Sequence, residues 1–154
     1  MFDTNMTPLN ISKKNEEKIT TFIDLALEFN KTHNIFVRKN AKEVFEKDIV
    51  DCLPITSEIL DKESVLDLGS GGGFPGILIG ILKPNNKVCL VESSSKKCYF
   101  LKKTVHELSL KNILFPLMKS IVPSIFDFLW SRLLLHFFFL LPSSWGNSNL
   151  GKLL

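Results

Sequence analysis

Cysteine is scarce in this sequence. Three occur among 154 residues, Cys52, Cys89 and Cys98, and none belongs to a C-x-x-C pair. Three thiols cannot all pair within the chain, and their spacing offers no zinc ribbon, so a disulfide scaffold and a metal site are not expected. A reducing, cytoplasmic setting is the simpler expectation. A charge excess of one sign is also missing. The 19 Lys and Arg stand against 16 Asp and Glu, a net +3, too little to mark a nucleic-acid binder by charge alone. The first 18 residues are polar and lack the apolar stretch of a secretory signal. The most apolar run, Ile125–Leu141, is broken by Asp127, Arg132 and His136. It falls short of the roughly 18–20 apolar residues of a membrane span, so no membrane association is expected.

What is present is the composition of a folded globular chain, 45% hydrophobic and 23% charged, at a length suited to one domain. The front reads as helical. Ile19, Phe22, Ile23, Ala26 and Phe29 recur at the spacing of one buried stripe, predicting a helix over Lys13–Asn30 with Ser12 as its N-cap. Asn34–Arg38 reads as a connector. A second amphipathic helix is predicted over Ala41–Leu53, with Ala41, Val44, Phe45, Ile49, Cys52 and Leu53 inward and Pro54 as its stop, followed by a short helical turn through Ile59.

The pattern changes at Ser64. Val65–Leu68 is a short apolar strand, expected to be buried, that runs into a turn with Gly69, Gly71, Gly72 and Gly73, then Phe74-Pro75-Gly76. Ile77–Leu82 is predicted helical, Lys87–Glu92 a second strand, Ser95–Leu108 a helix with Cys98, Leu101, Val105 and Leu108 inward, and Asn112–Phe115 a third strand. This alternation predicts a parallel α/β sheet with right-handed crossovers.

Four glycines in five positions let the chain turn sharply and let a ligand lie against bare backbone. The helix that follows is expected to offer free N–H groups, and Pro75 suits its first turn. Glu92 ends the second strand, where a carboxylate is placed to accept the hydroxyls of a ribose. The same residues satisfy a dinucleotide fingerprint, Gly71-x-Gly73-x-x-Gly76, so a nicotinamide-dependent oxidoreductase is the competing reading. Against it stand Asp67, two residues before the first glycine, and the bulk of Phe74-Pro75 where a pyrophosphate needs close approach.

The stretch VLDLGSGGGFPGILIGILKP, followed by VCLVESSSKKCYFLKKTVHELSLKNI, resembles the bacterial 16S ribosomal RNA guanine-N7 methyltransferase family, also called glucose-inhibited division protein B. Gly-Phe-Pro-Gly after the glycine turn is a specific marker of it. Phe29-Asn30-Lys31 with Asn34-Ile35 is similar to the family's W-N-x-x-x-N-L. Lys47 to Cys52 is similar to its R-H-I-x-D-S, with Asp48 in place of His and Cys52 in place of Ser. The resemblance covers roughly residues 15–115, then Phe126-Asp127 and Ser131-Arg132 more thinly. It implies a Rossmann-like methyltransferase sheet behind a helical segment, S-adenosyl-L-methionine as cofactor, and a guanine of 16S ribosomal RNA or of the small ribosomal subunit as substrate. By position it implies cofactor contacts at Gly69, Gly71, Phe74, Glu92 and Arg132. Where the family has an acidic residue after the third strand, this chain has Lys119-Ser120-Ile121.

Guanine N7 carries its own lone pair, so no catalytic acid or base is expected; His33, His106 and His136 are read as surface or packing residues. Lys96, Lys97, Lys102, Lys103 and Lys111 are candidates for phosphate contacts and equally for a solvated helix face. The organisation expected is a helical segment over 1–62, a partial methyltransferase core over 63–132, and an aberrant apolar tail over 133–154, in a monomer. After Arg132 the family's Ala-Phe-Ala-Ser is replaced by Leu133-Leu134-Leu135-His136. A one-base shift in codons for Ala-Phe-Thr-Ser-Phe produces Leu-Leu-Leu-His-Phe. The sheet is therefore expected to be incomplete, and an inactive remnant of the enzyme is a third reading.

Overall fold

The computed structural model describes residues 11–115, which pack around one core. Arg132, the 119–121 segment, His136 and the apolar tail lie outside the described residues.

Helix α1 spans Lys13–His33. Ser12, in extended backbone, caps it by accepting the Asn15 N–H at 3.4 Å. The helix runs past the expected Asn30 because nothing in Lys31-Thr32-His33 stops it. Asn34 does, by adopting the left-handed conformation (φ 47°) that Asn tolerates well. The predicted stripe is inward: Ile19, Phe22, Ile23 and Ala26 are buried, and Phe29 is partly buried against them.

The second predicted helix is replaced by three pieces. Helix α2 is Ala41–Val44, a π-helical turn covers Phe45–Ile49, and helix α3 is Val50–Glu58. Pro54 does not stop it; it sits inside α3. An interior proline costs about 3 kcal/mol through its missing N–H and its clash with the preceding turn. That is offset here by burial of Leu53 and Thr56 on the inward face. Thr56 and Ser57 also donate their hydroxyls to the carbonyls of Leu53 and Pro54, at 2.7 and 2.6 Å.

Strand β1 (Ser64–Leu68), helix α4 (Gly76–Leu82), strand β2 (Lys87–Val91), helix α5 (Ser95–Glu107) and strand β3 (Ile113–Leu114) follow. The strands form a parallel sheet in the order β1-β2-β3, with Val65 opposite Val88 and Asp67 opposite Leu90. Among the described residues this is a three-stranded, Rossmann-like parallel sheet behind a helical segment. Val88, Leu90 and Ile113 are buried on one sheet face. β1, expected to be buried, is not: Val65 and Asp67 on one face are half-buried, and Leu66 and Leu68 on the other are 46% and 58% exposed. With period-2 alternation, an apolar run cannot by itself say whether both faces are covered.

Helix α4 is buried along Gly76–Ile81 because it is wedged between β2, α1 and α3. Helix α5 has a wider inward face than expected. Leu101 and Leu108 are buried as predicted, but so are Phe100 and Thr104, with the Phe100 ring 5.2 Å from that of Phe29 on α1. Asn112 locks the crossover: its amide nitrogen lies 3.1–3.2 Å from the carbonyls of Gly80, Lys83 and Asn86.

Candidate cofactor site

The turn after β1 is built from backbone that only glycine adopts without strain. Gly69, Gly71 and Gly73 have φ of 79°, 55° and 95°. Gly69 N–H donates to the Val91 carbonyl at 2.8 Å, and Ser70 N–H to the same oxygen at 3.1 Å, stitching the turn to the end of β2. Gly73 N–H closes it on the Ser70 carbonyl at 2.7 Å. A Cβ on Gly69 would meet nothing within 4 Å, so open space lies over the bare backbone there. A Cβ on Gly73 would press on Ile77, Phe22 and Leu101. One glycine thus keeps space for a ligand, and the other keeps the core closed.

Glu92 stands where the sequence placed it. Its Oε2 accepts the Gly71 N–H at 2.8 Å, and its Oε1 accepts the Ser94 N–H at 2.8 Å. Burial pushes this carboxyl up. The backbone N–H groups of Ser94 and Gly71, with the Lys97 charge, outweigh that and hold it below its ordinary value. It is therefore ionised at neutral pH. Each carboxylate oxygen has two acceptor positions; the Ser93 hydroxyl, 3.4 Å from Oε1, takes the second on that oxygen, and the second on Oε2 stays open to a sugar hydroxyl.

The start of α4 departs from expectation. Its first two N–H groups are not free: Gly76 N–H donates to the Asp67 carboxylate at 3.2 Å, and Ile77 N–H to the Gly73 carbonyl at 2.8 Å. Pro75 lies one residue ahead of the first helical turn, after a cis peptide bond from Phe74. Burial raises the Asp67 carboxyl above its ordinary value and the nearby Glu92 adds to this, while the Ser70 hydroxyl and Gly76 N–H pull it down. A pyrophosphate needs open N–H groups at this helix start. Here a carboxyl fills the position, which suits a ligand without phosphate.

Phe74 turns its ring towards α1, with its centroid 4.8 Å from that of Phe22. Three contributors went unrecognised in the sequence. Ser70 is buried inside the turn and donates to the Asp67 carbonyl at 3.0 Å. Ser94 supplies a backbone N–H to Glu92. Phe36 lies against Gly72, with a ring carbon 3.4 Å from where a Cβ would stand. The serines carried a signal, since Ser favours hydrogen bonds to local backbone in turns. Phe36 carried none. Of the histidines, His33 is exposed and stacks on Phe29 at 4.1 Å, and His106 is exposed. Lys96, Lys102, Lys103 and Lys111 are exposed and Lys97 is partly so. Burial, then Asp48, Asp51 and Asp67, push the Cys52 thiol up to about 11, so it stays protonated and is no nucleophile. Among the described residues no three His, Cys, Asp or Glu side chains could hold a metal ion, and no helix is long and apolar enough to cross a membrane.

A family model described as rRNA small subunit methyltransferase G (GidB) matches residues 15–122. The chain belongs to the rRNA small subunit methyltransferase G family. A relative named ribosomal RNA small subunit methyltransferase G, from Hydrogenovibrio crunogenus, is 41% identical over 96 residues, 62% of this chain and 44% of the relative. Proteins of the same name from a Psychrobacter strain and from Vibrio cholerae are each 31% identical, over 105 and 108 residues. Those matches cover 68% and 70% of this chain and 46% and 51% of the relatives. The chain thus spans about half the length of the relatives it matches. Membership in the methyltransferase G family sets aside the nicotinamide reading, in agreement with the carboxyl-filled helix start.

Proposed function

We propose that this chain binds S-adenosyl-L-methionine over the glycine turn. In this reading it is the cofactor-binding part of an enzyme that methylates N7 of a guanine in 16S ribosomal RNA. The observation that carries the reading is the pairing of two carboxyls around one turn. Asp67 closes the helix start to phosphate, and Glu92 stands ionised at the end of β2 with acceptor capacity for a ribose. The open backbone at Gly69 leaves room for the ligand, and Gly71 and Phe74 flank it. Arg132 is retained as a site residue on family resemblance alone.

When bound, the cofactor supplies a methyl group already activated on a sulfonium. The chain's residues then have one task, which is to hold the two reactants in line. Guanine N7 has its own lone pair, so no side chain needs to remove a proton, and alignment alone is worth several kcal/mol, on the order of 7–11 in the best cases. The substrate is proposed to be the ribosomal RNA or the small subunit, met by a cytoplasmic monomer.

The exposed Leu66 and Leu68 favour a second reading, in which the chain binds cofactor without turnover. Calorimetric titration with S-adenosyl-homocysteine and with NAD tests the first step; binding of NAD in preference sinks the proposal. Mapping N7-methylguanine in ribosomal RNA, after expression in a strain lacking that modification, separates an active enzyme from a binding remnant.

A further inference from the structure

We infer that Asn30 is a positioning residue for the glycine turn, acting through Phe36. The inference rests on the cofactor reading above. Asn30 lies in the last turn of α1, and its side chain reaches over the connector that follows. Its Oδ1 accepts the Ile35 N–H at 2.7 Å and the Phe36 N–H at 3.1 Å, and its Nδ2 donates to the Arg38 carbonyl at 3.5 Å. One amide thus satisfies three backbone groups of a segment that has neither helix nor strand to satisfy them. The far end of the connector is held as well. The Arg38 guanidinium meets both oxygens of Asp48, on the π-helical turn, at 3.0 and 3.2 Å.

What this clasp presents is the Phe36 ring. It lies against Gly72 on one side, 3.4 Å from a would-be Cβ, while the Phe74 ring lies 3.8–3.9 Å from the same point. Phe74 is anchored on Phe22. Gly72 therefore has two aromatic walls on its Cβ side, one anchored by ring packing and the other by the Asn30 clasp. A turn with four glycines in five positions has more conformational freedom to lose than one built of residues with side chains. Walls that restrict it beforehand reduce the ordering that a ligand must otherwise impose. Asn30 touches neither ligand nor turn; it sets where Phe36 stands.

The test uses the full chain, with backbone amide hydrogen exchange and affinity for S-adenosyl-homocysteine read side by side. Asn30→Ala is expected to speed exchange at least tenfold at residues 35–36 and at 69–73, and to weaken binding at least tenfold. Asn30→Asp keeps the Oδ1 acceptor and is expected to hold all three within threefold of the unmodified chain. Phe36→Leu leaves the clasp bonds in place and is expected to loosen 69–73 while 35–36 stay protected, so it carries the test even where Asn30→Ala does not fold. Unchanged protection at 69–73 in Phe36→Leu, or equal losses in Asn30→Ala and Asn30→Asp, overturns the proposal. If the unmodified chain fails to bind while these exchange patterns hold, the clasp stands and the cofactor reading is what fails.

Discussion

At the scale of single residues, the two carboxyls of the site respond to pH in opposite directions. Glu92 is held below its ordinary value of 4.5, so its contribution to stability is complete above that value and is lost as pH falls through its lower folded value. Asp67 is held above its ordinary 3.8, so its contribution is complete below that value and is lost as pH rises through the higher folded one. Thermal melts between pH 3 and 7 should show both. The deficit of Glu92→Gln relative to the unmodified chain shrinks on acidification. Asp67→Asn gains on the unmodified chain as pH rises. At neutral pH, Glu92→Gln is expected to weaken S-adenosyl-homocysteine binding ten- to a hundredfold by calorimetry, in line with about 1.5–3 kcal/mol for hydrogen bonds to a charged group. The glycines separate in the same way. Gly73→Ala pushes a methyl into Ile77, Phe22 and Leu101 at a left-handed φ, and should cost about 2–4 kcal/mol of stability in denaturant melts. Gly69→Ala meets open space and should cost only about 1–2 kcal/mol for its backbone, while binding suffers more.

At the scale of elements, α4 depends on side chains far from it in sequence. Asn112 gathers three carbonyls at the end of α4 and the following turn, and Asn86 donates to the carbonyls of Leu60 and Glu63 at 2.6 and 3.1 Å. Asn112→Ala strands those acceptors and is expected to lower stability by about 1–3 kcal/mol, measured by urea unfolding with an unchanged slope. Helix α1 and the strands were legible because α1 carries one helical period behind its Ser12 cap and the glycines mark the end of β1; Asn34, which stops α1, was not read as its end. The second helix was misread at Pro54 because a proline's cost is a local quantity. Burial of Leu53 and Thr56, which offsets it, is decided by what lies opposite. Phe100 and Thr104 were missed for the same reason, since α5 packs on α1.

At the scale of the whole molecule, one sheet face packs against α4 and the other exposes Leu66, Leu68 and Leu114. An apolar patch of this kind promotes self-association and dye binding. The double substitution Leu66→Thr and Leu68→Thr should lower fluorescence of a bound hydrophobic dye and reduce association in sedimentation. It should leave the affinity for S-adenosyl-homocysteine within threefold, because both residues lie on the sheet face away from the core side chains Val88 and Leu90.

The sequence by itself determined the parallel α/β order, the glycine turn and the place of Glu92. These depend on period, on glycine's missing Cβ and on where a strand ends, all of them properties of neighbours in the chain. The tertiary structure alone decided that the start of α4 is filled by Asp67, that Phe36 and Phe74 wall in Gly72, and that Asn30 holds the connector. Those facts are contacts between segments, and a contact requires the distance between two side chains, which depends on how every intervening element packs.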